Sequence, residues 1–126
     1  MKAYYLDMED VLSLHQRQLE LFGGAPGIRD AGLIEAALAR PQSGYYRDRI
    51  EEAAALWESL TMNHGFIDGN KRVGFAACAV FLHMNGYRLV LSADEGEDFI
   101  VRQLIAEHLD VHQIAEWLKP KLRPLR

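Results

Sequence analysis

The sequence predicts an all-α fold, and three stretches carry that prediction. Val11, Leu12, Leu19 and Phe22 recur at helical spacing on one face. Ile50, Ala53, Ala54, Trp57, Leu60 and Thr61 do the same over the next long span. Val73 to Leu82 is apolar all round, the mark of a central helix covered on every side. With 126 residues, 49% hydrophobic and 25% charged, the chain has the size and composition of one compact soluble domain, expected to run over 1–126.

Taken in order, Asp7 is placed to cap a first helix reaching about Phe22, where Gly23 and Gly24 stop it. Gly24-Ala25-Pro26-Gly27 reads as a loop. Asp30 caps a short helix carrying Leu33, Ile34, Ala37 and Leu38, which Pro41 is expected to terminate. Gln42 to Arg49 has no clear period, and Gly44-Tyr45-Tyr46 suits a loop or small hairpin. A helix from about Ile50 to Asn63 follows. His64 continues its apolar face and is therefore expected to point inward.

Asn70 is placed to cap the next helix, about Lys71 to Met84, which Asn85-Gly86 closes. Tyr87 to Leu91 reads as a short strand or an extended connector. Two more helices are expected. One lies near Glu95 to Glu107, with Phe99, Ile100, Leu104 and Ile105. The other lies near Val111 to Leu118, opened by an Asp110/Gln113 capping box. The basic tail of Lys119, Lys121, Arg123 and Arg126, broken by Pro120 and Pro124, is expected to fray into solvent.

Several function classes are disfavoured at this level. A formal net charge of −4 argues against direct nucleic-acid binding by bulk electrostatics. Cys78 is the only cysteine and sits in the apolar run, so it reads as a small buried hydrophobe rather than a nucleophile. Asp7 and Glu9 interrupt any leader-like apolar segment. The longest apolar run is far short of the roughly 20 residues that span a bilayer. No membrane role and a cytoplasmic location are therefore expected. His108 and His112 could share a helix face as metal pairs do, but no third ligand accompanies them.

The chemistry concentrates in His64-Gly65-Phe66-Ile67-Asp68-Gly69-Asn70-Lys71-Arg72. Gly69 and Asn70 lie where a loop becomes a helix, so free backbone N–H groups and the helix dipole form an anion site. Gly69 permits close approach or a positive φ, and Lys71 and Arg72 add positive charge. Asp68 supplies a carboxylate beside bound phosphates, which is what magnesium takes alongside phosphate and water. His64, four residues earlier, is the side-chain type that exchanges protons near neutral pH.

This loop resembles the signature of the Fic/Doc superfamily, His-x-Phe-x-(Asp/Glu)-Gly-Asn-x-Arg, with six of six fixed positions met. Asn70-Lys71-Arg72 is similar to the Doc (death-on-curing) toxin branch. So are Leu14-His15, Phe22-Gly23-Gly24, Gly27-Ile28-Arg29-Asp30, Ala39-Arg40-Pro41 and Phe81-Leu82 with Asn85-Gly86-Tyr87. The resemblance spans about Tyr5 to Leu91. It implies a compact helical domain whose motif loop joins two central helices. It implies His64 as general base towards a Ser or Thr hydroxyl, Asp68 as magnesium ligand, and Gly69, Asn70, Lys71 and Arg72 as the binding site for the phosphates of ATP. Phe66 would plug the loop into the core. Ser43 to Arg49 would match the flap that lays the target peptide across the site.

Adenylylating members mostly carry Gly at the position of Lys71 and a second Arg at that of Phe75. The resemblance therefore implies transfer of the γ-phosphoryl group rather than AMP. It also implies elongation factor Tu as a target, with translation arrest, and a small antitoxin docking in the active-site groove. The alternatives are AMP transfer and a non-catalytic antitoxin-binding co-repressor. Gly65 replaces the Pro common in the family and is expected to loosen the loop slightly. Ser92-Ala93-Asp94-Glu95-Gly96 is one residue short of the family's internal inhibitory motif, so inhibition is expected in trans.

Overall fold

A computed structural model describes residues 2–125. The chain is mostly helical, with one two-stranded sheet. Helix α1 (Met8–Phe22) starts where Asp7 and Asp10 exchange backbone N–H bonds in a capping box, and it stops at Gly23, whose φ is 80°. Helix α2 (Ala31–Ala39) takes its cap from Asp30. Pro41 follows the end of α2 at Ala39, as expected of a helix terminator. It sits in a 3₁₀ turn over Arg40–Gln42, where a missing N–H costs nothing. The following loop has bends and no hairpin.

Helices α3 (Arg49–Met62) and α4 (Asn70–Met84) pack along each other and flank the motif loop. The expectation about which one is enclosed is reversed. Buried positions in α3 run from Glu51 through Trp57 and again from Ser59 to Thr61, with α2, α4 and α6 (Val111–Leu118) packed on it. In α4 the buried set is one-sided, Val73, Gly74, Ala77, Cys78, Phe81 and Leu82, with Ala76, Ala79 and Val80 half-buried. Burial pushes the Cys78 thiol up, which keeps it protonated.

Trp57 is the hub of the core. Its ring meets Phe75, Phe99 and Trp117 at centroid distances of 5.6, 5.5 and 5.9 Å. Gly74 lets α3 and α4 approach closely there, since a Cβ would stand 2.6 Å from Thr61 Oγ1. The buried carboxylates Glu51 and Glu52 lie in the first turn of α3, favoured by the helix dipole and paired with Arg47 and Arg49.

Ser92 and Glu95 form a capping box for α5 (Ala93–Phe99), two residues ahead of the expected start. The helix then widens into a π-helical segment over Ile100–Ile105. His108, with φ of 50°, lies in a turn before α6, so it shares no helix with His112. The Asp110/Gln113 capping box of α6 forms as expected. The tail is not frayed. Strand β2 (Leu122–Pro124) pairs antiparallel with β1 (Tyr87–Leu89), and Lys121 lies 3.9 Å from the Trp117 ring. Arg126 of the basic tail lies outside the described residues. The Asn85–Gly86 turn collects both ends of this region: Asn85 exchanges two bonds with the Tyr4 backbone, and Gly86 O accepts from Leu125 N–H. Among the described residues no helix is long and apolar enough to cross a membrane.

Candidate active site

The loop between α3 and α4 is built on two inward anchors. Phe66 is buried and stacks on His15 of α1, with ring centroids 3.8 Å apart. Asn70 does not cap α4 with its side chain, as its type had suggested. Gly69, with φ of 80°, takes the N-cap position. The Asn70 amide folds back instead, accepting from the Phe66 N–H and donating to the Phe66 carbonyl, both at 3.0 Å. A buried amide is thereby satisfied and the loop closed into a ring. Gly65 is buried in the loop. Ile34 packs on its Cα where a side chain would be, and its carbonyl accepts from the Arg29 and Asp30 N–H groups.

Because the glycine at the N-cap supplies no side-chain acceptor, the N–H groups of Asn70, Lys71 and Arg72 have none among the described residues. The first N–H bond of α4 runs from Val73 to Gly69. These donors open onto a groove of about 450 Å³ lined by His64, Ile67, Asp68, Gly69, Lys71, Arg72, Glu97 and others. Free N–H groups at the positive end of a fifteen-residue helix, with Lys71 exposed beside them, are suited to anionic oxygens.

Asp68 is exposed, and its carboxylate accepts from the Ala25 N–H at 3.0 Å and the Gly69 N–H at 2.8 Å. Those two bonds, Ala25 first, hold its carboxyl below the usual carboxylate range. One bond per oxygen leaves further lone pairs directed to the groove, so an ionised hard-oxygen ligand stands beside the anion site. That donor set fits a magnesium ion shared with phosphates. Behind it, His15 is buried with Nε2 2.7 Å from the Asp68 carbonyl oxygen. A carbonyl only accepts, so the His15 proton resides on Nε2.

His64 does not point into the core. It is exposed, with φ of 54°, and lines the same groove as Asp68 and the helix end. The reason is local: Asn63 ends α3, and the left-handed residue after it turns the chain away from the helix face. Arg72 is half-buried. Its guanidinium carbon lies 4.0 Å over the Phe22 ring, and an amino group lies 3.9 Å from Glu97. Phe75, half-buried, packs on Trp57 and on the open face of Gly96. That glycine lets α5 approach α4 and brings Glu97 to the groove.

Sequence reading missed Glu97 and Arg29. Glu97 lies beyond the recognisable segment, and its one local signal was the small residue before it. The Arg29 guanidinium bonds the carbonyls of Asn63 and His64. No residue of Ser43 to Arg49 lines this groove. Tyr45 and Tyr46 line a separate cleft with Arg40, Asp110 and His112.

Comparison with known proteins follows the same loop. The family model described as Fic/DOC family matches residues 5–82. The protein named Toxin Doc from Mycolicibacterium smegmatis is 42% identical over 118 residues, covering 88% of each chain. Protein kinase doc from Escherichia phage P1 is 29% identical over 119 residues, covering 91% of this chain and 93% of that one.

Proposed function

The chain belongs to the Fic/DOC family, as a Doc-like member, and on that premise we propose that it is a toxin that transfers the γ-phosphoryl group of ATP to a protein hydroxyl. The observation that carries this reading is the groove at the start of α4. Among the described residues, three unpaired N–H groups, Lys71, the ionised Asp68 and His64 line it together. Phosphoryl transfer asks a protein for positioning and charge neutralisation, and these groups supply both.

In this reading the N–H groups of Asn70, Lys71 and Arg72 and the Lys71 ammonium hold the triphosphate. Asp68 is the protein ligand for magnesium, which when bound neutralises charge on the phosphate oxygens. The His64 imidazole accepts the proton of a Ser or Thr hydroxyl as its oxygen bonds to the γ-phosphorus. The bond from that phosphorus to the bridging oxygen breaks, and ADP leaves. Lys71 occupies the space that Gly gives AMP-transferring relatives, and Phe75, packed on Trp57, supplies no second cation. Both features favour γ- over α-transfer.

The names of the two relatives support a toxin with kinase-like activity. We extend the reading to cytoplasmic action on elongation factor Tu, and to a small antitoxin covering the groove. Exposed Phe22 and Ile67 beside the charged groups give such a partner apolar anchors. The test is a lysate transfer assay with α- and γ-labelled ATP, run for the wild type and His64→Ala. Label is expected from γ-ATP alone, and at a far lower rate in His64→Ala. Label from α-ATP alone would replace this reading with AMP transfer.

A further inference from the structure

His64 occupies a backbone conformation that its residue type disfavours. Its φ of 54° lies in the left-handed region, where a non-glycine residue is strained and persists only when its surroundings over-determine it. Here the surroundings are largely one residue outside the signature. Arg29 Nε donates to the His64 carbonyl at 2.6 Å, and an Arg29 amino group donates to the Asn63 carbonyl at 3.1 Å. The Arg29 backbone N–H donates to the Gly65 carbonyl at 2.8 Å.

Those acceptors have a geometric meaning. The Asn63 carbonyl belongs to the peptide plane before His64, and the His64 carbonyl to the plane after it. Fixing both planes fixes φ and ψ of His64, and with them the direction in which its side chain leaves the backbone. The guanidinium suits the task because its donors form a rigid planar fork, whereas an ammonium is a single point. Its charge also lies at the C-terminal end of α3, where a cation is favoured. Arg29 is itself held by the bridge between Ile28 and Phe66 and by the Ile67 N–H bond to the Gly27 carbonyl.

We propose that Arg29 is a positioning residue for His64: it pins the two peptide planes around His64 and so aims the imidazole into the groove. The inference rests on His64 being the proton acceptor, and its test separates the two ideas. Transfer from γ-labelled ATP is measured for the wild type, Arg29→Gln, Arg29→Lys, His64→Ala and the Arg29→Gln/His64→Ala pair. Misaiming a base by an ångström costs up to about 100-fold. Arg29→Gln is therefore expected to lower kcat roughly 10- to 100-fold and leave KM for ATP within about twofold. Arg29→Lys is expected to stay impaired, because it restores charge without the fork.

In the His64→Ala background the Arg29 change is expected to add no further loss, since both act through one group. An undiminished extra loss there, or full activity of either single Arg29 variant, would overturn the proposal. If the wild type transfers nothing, the functional reading fails, and a second measurement decides the clamp by itself. The carbon shifts and one-bond Cα–Hα coupling of His64 report left-handed backbone. They are expected to lose that signature in Arg29→Gln, and its retention would sink the clamp.

Discussion

Helices α3 and α4 meet at the motif loop, yet they are opposites in almost every physical respect. Helix α3 carries Glu51, Glu52, Ser59 and Thr61, and it is the more deeply enclosed. Helix α4 reads as wholly apolar from Val73 to Leu82, and one side of it is only half-covered. Helix α4 has α1, α3, α5 and β1 against it and is still the less enclosed, so a helix's apolar composition is a weak guide to its burial. The buried carboxylates of α3 are tolerated because they sit in its first turn and pair with arginines. The loop receives the negative end of α3, where Arg29 binds carbonyls, and the positive end of α4, where N–H groups stand open. One junction thus brings an exposed imidazole and open backbone donors to the same groove.

The sharpest way to break this comparison is at the last residue α3 delivers. His64→Ala is expected to lower transfer by about 10²- to 10⁴-fold, the range for a general base. The urea midpoint should stay at the wild-type value because the side chain is exposed. A matching fall in stability would make His64 a structural residue. Next in size is a core test. Trp57→Ala on α3 should cost about 3–5 kcal/mol by urea unfolding, and Phe75→Ala on α4 distinctly less, since only Trp57 is fully enclosed. Equal losses would remove the asymmetry between the helices.

Smaller again is Gly74→Ala. Its new methyl meets Thr61 Oγ1 and the Trp57 carbonyl, so the close crossing should lose about 1–3 kcal/mol by overpacking. A neutral result would mean that the crossing yields freely. The smallest effect is acid titration at the start of α4. Asp68 has a depressed carboxyl in the fold, so its contribution is present above the ordinary value of about 3.9 and is lost as pH falls through the folded value. A carboxyl-carbon NMR titration should find Asp68 below that ordinary value. A midpoint at or above it would contradict the bonds from Ala25 and Gly69.

Much of this was legible because it is local. Asp7 and Asp30 as caps and Asp110 with Gln113 announce helix starts within four residues, and the motif loop carries its chemistry in one contiguous segment. What stayed hidden depends on residues far apart in sequence. Arg29 reaches carbonyls 34 and 35 residues away, and β2 finds β1 across the whole of α5 and α6. Glu97 reaches the groove only because Gly96 lets α5 settle against Phe75. The outward turn of His64 was missed because helical periodicity was extended one residue past the point where Asn63 ended the helix. Asn70 was assigned a cap by its type, whereas its amide found better partners on Phe66.

The Asn85–Gly86 turn has an engineering consequence. Tyr4 and Leu125 are each hydrogen-bonded to one of its two residues, so the first and last described segments lie side by side, at the opposite end of α4 from the motif loop. Residues 2–125 can therefore be circularly permuted: a short flexible linker joins these segments, and new termini open in the exposed bend around Gly44. The permuted protein would retain every hydrogen bond of the His64 to Arg72 loop, which makes it a carrier for labels or fusions that leave the groove untouched.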